Sequence, residues 1–158
     1  MRIDRSWTAG RALAIVLALA LVCGVAAPAL RADLKAALAE KDLEKRSKLA
    51  LDNAEAVLQT ARSAYQQGDI EKTKAAVGEV QESVELAYKS LDDTHKNPRK
   101  SPKWFKIAEL ATRDIMRRLD TFDHDMSFDD RPILKPLKDK VQQVHEDLLL
   151  GLMEGKPK

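Results

Sequence analysis

Two clusters of side chains carry the chemistry this sequence would offer, and they adjoin along the chain. Residues 119 to 130 hold five acids, Asp120, Asp123, Asp125, Asp129 and Asp130, with no lysine or arginine among them. Asp120 and His124 stand four apart, on one face of a helix, and Asp123, Asp125, Ser127 and Asp129 present alternating oxygens like those that open a calcium loop. A loop of that kind starting at Asp123 would need glycine where Phe128 stands and a bidentate glutamate where Leu134 stands. The metal candidates are therefore Asp120, Asp123, His124, Asp125 and Asp129, a solvated turn is the competing reading, and no metal is assigned.

Immediately before the acids, residues 95 to 118 contain eight cations, Lys96, Arg99, Lys100, Lys103, Lys106, Arg113, Arg117 and Arg118, against Glu109 and Asp114. Lys96, Arg99, Lys100, Lys103 and Lys106 flank Trp104 and Phe105, an arrangement suited to anionic lipid head groups or a polyanion, with the aromatics at the interface. The competing reading is the end of a hydrophobic core.

His145 raises haem ligation, since periplasmic four-helix cytochromes similar to cytochrome b562 use a methionine near the start and a histidine near the end. Past the first thirty residues there is no methionine before Met116, and no Cys-x-x-Cys-His occurs. No cofactor is expected. Gly-x-Ser-x-Gly and zinc signatures are missing too, so nucleophilic catalysis has no support and the protein is expected not to be an enzyme. Ala61, Tyr65, Gly68-Asp69 and Lys74-Ala75 resemble half of a tetratricopeptide unit over some fifteen residues. The surrounding helices are twice too long for that repeat, and no 34-residue self-similarity accompanies it. No family is named on these residues.

The elements that must position these clusters are helices. Residues 42 to 67 place Leu51, Ala54, Leu58, Ala61 and Tyr65 on one stripe, with Ala50, Val57 and Ala64 beside it. Gly68 is the expected left-handed stop and Asp69 the N-cap of the next helix. Residues 70 to 94 run Ile70, Thr73, Val77, Val80, Val84, Ala87 and Leu91 at alternating steps of three and four, an a/d heptad. After a loop at residues 95 to 100, Ser101 and Pro102 form a helix start. The third helix then sets Phe105, Ala108, Thr112, Ile115, Leu119, Phe122 and Met126 on the same spacing. A fourth, from about Pro132, aligns Leu134, Leu137, Val141, Val144 and Leu148 and is expected to fray at Gly151 and Gly155.

No segment alternates with period two, so the fold class is all-α, an antiparallel up-down four-helix bundle with heptad-like packing over residues 49 to 152. Residues 153 to 158 read as a disordered basic tail. Residues 30 to 48 form a polar helical extension with a thin Leu34, Leu38, Leu43 stripe. If continuous with the first long helix it would make a rod of about 52 Å against about 37 Å for the third, a projecting stalk. A break near Asp42 that folds it back is the alternative.

On the third helix the charge gradient opposes the macrodipole, which favours anions at the N-terminus and cations at the C-terminus. An antiparallel fourth helix would offset this by laying Arg131, Lys135, Lys138 and Lys140 beside the aspartates and Glu146, Asp147 and Glu154 beside the cations.

The 158-residue chain has 27 Lys plus Arg, 25 Asp plus Glu and one cysteine. Arg2, Arg5, Arg11, Asp4 and Cys23 lie in residues 1 to 29, which read as a cleavable signal peptide: a basic start, an uncharged Ala12 to Ala27 run, and small residues ending at Ala29. Removing them leaves 24 cations, 24 acids and no thiol in the remainder. That excludes thiolate chemistry and a global field for nucleic acid. The uncharged stretch is also long enough for an uncleaved anchor. A lipid at Cys23 would require a motif similar to Leu-Ala-Gly-Cys, where this chain has Ala20, Leu21 and Val22. All three readings export the domain, most plainly to a bacterial periplasm or the exterior. The expectation is a non-enzymatic bundle acting by contact with a protein, a second copy or an anionic envelope surface, with a periplasmic carrier of a small ligand or metal as the alternative.

Overall fold

A computed structural model describes residues 34–155. The expected signal peptide, with the Ala29 and Cys23 alternatives, and the last three residues of the expected tail lie outside them. A short helix α1 (Leu34–Ala39) precedes four long ones, α2 (Leu43–Gln66), α3 (Ile70–Asp92), α4 (Pro102–Asp125) and α5 (Lys135–Glu154), with a 3₁₀ turn at Arg131–Ile133 before the last. Among the described residues there is no strand, and no helix is long and apolar enough to cross a membrane. The protein is all-α, with four long helices packed against one another.

The chain breaks between α1 and α2 because Asp42 is worth more as a cap than inside a helix. Its Oδ1 accepts from the Glu44 and Lys45 amides at 3.0 and 3.1 Å. Arg46 holds the corner from the other side, donating from Nε and Nη2 to the Glu40 carbonyl at 2.8 and 2.6 Å. α1 therefore packs back against α2, with Ala37 fully buried, and no stalk projects from Leu34 onward. Packing begins before residue 49, since Ala37 and Ser47 are already buried.

Gly68 takes the left-handed conformation, φ +75°, and Asp69 Oδ1 accepts from the Lys72 amide at 3.0 Å, as the turn chemistry requires. At the start of α4, Ser101 occupies the cap position but its side chain makes no capping bond. Asn97 organises this loop instead, its Oδ1 accepting from the Arg99 and Lys100 amides. α5 does not fray at Gly151; it continues to Glu154 and stops at Gly155, φ +81°. A Cβ on Gly151 would lie 3.2 Å from Pro98 Cγ, so this glycine lets the loop press onto the helix.

The third stripe is buried throughout, six residues in α4 and Met126 at its cap, and so is the fourth, four residues in α5 and Leu134 at its cap; six of seven are buried in α3, Ile70 being partly exposed. The pairing of the helices is less simple than chain order. α2 lies beside α3 and α4, and α5 lies beside the same two. Asn53 meets Glu79 and Ser83, and Lys138 meets Asp120 and Asp123, so α2/α3 and α4/α5 are antiparallel hairpins. Between hairpins the neighbours run parallel: Glu55 meets Arg118 and Arg62 meets Asp125, while Glu85 meets Lys140 and Tyr88 meets Asp147. The connection from α3 to α4 thus crosses the diagonal, and the expectation of antiparallel neighbours throughout is corrected.

Candidate functional site

The acids of the α4 to α5 turn are spent on cations and hydroxyls. Lys138 Nζ lies 3.0 Å from Asp120 Oδ1 and 3.6 Å from Asp123 Oδ2. Its hydrogen bond to Asp120, with both carboxylates beside it, holds its amine above the ordinary lysine range. Asp125 pairs with Arg62 of α2. Tyr65 OH donates to Asp130 Oδ2 at 3.0 Å and accepts from the Ser127 amide at 2.8 Å, while its ring meets Phe122 edge-on at 5.8 Å. His124 and Asp129 are exposed. Asp120, Asp123, His124, Asp125 and Asp129 do not converge, and among the described residues no three His, Cys, Asp or Glu are placed to hold a metal ion. The acids sit against the macrodipole of α4 because Lys138 and Arg62 reach them.

The basic end divides. Lys96 ties the loop to α2 through Glu44 Oε1 at 2.7 Å, and Lys103 Nζ sits 5.1 Å from the centre of the Trp104 ring, a cation–π contact. Trp104 itself is half-buried against the core. Arg99, Lys100 and Lys106 are exposed and form no ion pair among the described residues. Further along α4, Arg113 pairs with the buried Glu109, and Arg117 and Arg118 pair with Asp114. The hydrogen bond from Arg118 keeps Asp114 below the usual carboxylate range, with Arg117 adding to it. The pairing expected with Glu146, Asp147 and Glu154 does not form among the described residues; Glu146 accepts instead from Gln142 at 2.8 Å.

His145 is fixed within the α4/α5 seam. Thr112 Oγ1 lies 2.9 and 3.0 Å from the Glu109 and Ala108 carbonyls and 3.3 Å from His145 Nδ1. Glu109 Oε1 stands 3.8 Å from the same nitrogen. This is a positioned side chain between helices.

The feature that sequence reasoning missed is a cleft of about 580 Å³ where α3 and α5 end. Tyr88 and Phe105 give it aromatic walls, Leu148 and Leu150 add aliphatic surface, and Asp92, Asp147 and Glu154 supply carboxylates. Pro98, Gly151 and Gly155 complete it, the two glycines letting Pro98 and Asn97 of the loop approach the end of α5 closely. Partial burial pushes the Tyr88 hydroxyl up, reinforced by the negative charge of Asp147 and Asp92 and by interaction with the Asp147 carboxylate. Two glycines four apart at a helix end, with Asp147 one turn before them and Glu154 between them, were the available signal. They read as a helix stop because the loop that packs on them lies some fifty residues upstream. No protein family, no curated protein and no solved structure matches the chain, and the site is read from its own geometry.

Proposed function

We propose that this is a non-enzymatic helical-bundle protein, exported by a cleaved signal in residues 1 to 29, that works through contact with another protein at the open end of α5. Heptad-like packing along both hairpins supplies a rigid frame for that surface. The observation that carries the reading is the exposure of Leu149, Leu150 and Met153, at 41%, 53% and 68%, within little more than one turn beside the cleft. Scattered apolar residues on a surface are ordinary, whereas a contiguous group next to a groove marks an interaction site. Phe128 and Leu38, by contrast, are exposed at other places in the fold. Arg99, Lys100 and Lys106, exposed near the same end of the molecule, support an accompanying approach to an anionic envelope surface.

A carrier of a small organic ligand is the second reading, favoured by the cleft volume of about 580 Å³, within the range of ligand sites. Native mass spectrometry of the protein taken from its own producing cells separates the two. The contact reading expects the mass of the chain from Leu30 with no small adduct. A constant adduct of a few hundred daltons would replace it with the carrier, and a mass retaining residues 1 to 29 would show an anchor in place of a cleaved signal.

A further inference from the structure

We infer that the cleft at the α3/α5 end is a docking groove for an amphipathic segment of a partner protein that carries lysine or arginine; this rests on the contact reading above and gives the partner its chemistry. The groove has an apolar interior and a negative edge. Tyr88, Phe105 and Leu148 line it, while Asp147 and Glu154, seven residues apart, share one side of α5 two turns from each other. Among the described residues, no lysine or arginine lines the cleft. Lys103 and Lys106, on the first turns of α4, are absent from its wall, to which α4 contributes Phe105.

Two backbone features point the same way. α3 ends at Asp92 and α5 at Glu154, so both helices turn the negative end of their dipoles toward this place, and α5 has no basic residue in its last turn to neutralise its own. An ammonium or guanidinium group entering here meets carboxylates and helix C-termini, and its aliphatic stem lies along the aromatic walls. An anion would meet repulsion at each of these points. A small molecule filling the cleft would leave Leu149 and Met153 bare, whereas an extended segment with leucine-like neighbours around its cation covers cleft and ridge together.

The probe is the peptide acetyl-Leu-Leu-Lys-Leu-Leu-amide, titrated into the ¹⁵N-labelled protein in the processed form that cells yield, with norleucine and glutamate versions alongside. The lysine peptide is expected to shift the amides of Gly151, Met153 and Gly155. The double variant Asp147→Asn, Glu154→Gln, both at exposed positions, is expected to weaken it about tenfold, the scale of one lost charge pair. Asp129→Asn, at the other end of α5, leaves the affinity unchanged. Equal binding of the norleucine peptide would overturn the cationic requirement and leave the apolar contact surface standing. Shifts centred on residues 119 to 130, or none with any peptide at millimolar concentration, would overturn the groove itself, and the contact reading would then rest on its own crosslinking test.

Discussion

The two hairpins hold together by different means. α2 and α3 bury Ala50, Asn53, Ala54, Ala61, Ala76, Ser83 and Ala87, and these two backbones, rich in small buried side chains, run closer together than any other pair. α4 and α5 bury the larger Phe105, Ile115, Leu119 and Phe122 and Leu137, Val141 and Leu148, and stand further apart. Their edge carries the Lys138 to Asp120 and Asp123 ion pairs. A seam of small residues has no room for added volume, and a seam of large ones cannot lose it without a void. The cleft lies at the end of the wider seam, where the fully buried stripe of α5 ends at Leu148 and Gly151 and Gly155 line the wall.

Removing volume from the wide hairpin should cost most. Phe122 is 1% exposed, and Phe122→Ala is expected to lower stability by about 3–5 kcal/mol in urea unfolding. A loss under about 1 kcal/mol would mean that the seam collapses and the contrast fails.

Adding volume to the close hairpin comes next. Ala54 is fully buried, and Ala54→Leu should cost about 1–3 kcal/mol through forced displacement of α3. A neutral result would show space between α2 and α3 that the contrast denies.

The latch between the hairpins is smaller. Tyr65→Phe keeps the ring against Phe122 but deletes the hydroxyl that joins Ser127 and Asp130, an expected loss of about 1 kcal/mol. Faster hydrogen exchange at the Ser127 amide should accompany it, and unchanged exchange would place the latch elsewhere.

Least is expected from the surface of α4. Asp114 has its pKa depressed in the folded state, so its contribution is present above the ordinary carboxylate value of the unfolded chain and is lost as pH falls through the lower, folded one. Asp114→Asn should therefore lower stability by roughly 0.2–1 kcal/mol at neutral pH and leave it equal to the parent protein near pH 2. Thermal melts at both pH values check the sign, and a deficit that persists in acid would point to packing as its source.

Periodicity revealed the core because every helix buries one stripe, and Gly68 with Asp69 gave the tight turn through local backbone chemistry alone. The sequence around Asp42 suits both a continuous helix and a break, since the choice depends on Arg46 reaching back to Glu40. The diagonal path of residues 93 to 101 has no local signature; it follows from Pro98 seating on Gly151. Charge patterning located one pair of partners, Lys138 with the aspartates, and misplaced Asp147 and Glu154, which line the cleft. That cleft draws on three stretches of chain that only the packed helices bring together, so neither the acidic turn nor the basic loop pointed to it.

Contact at the end of α5 is tested most directly by placing benzoylphenylalanine, one site at a time, at Leu150, Met153, Phe128 and Leu38 in the cells that produce the protein, followed by irradiation. Leu150 and Met153 should give the same discrete covalent adduct with a second protein, and Phe128 and Leu38 should give none. Adducts of equal yield from all four sites, or none from Leu150 and Met153, would contradict it.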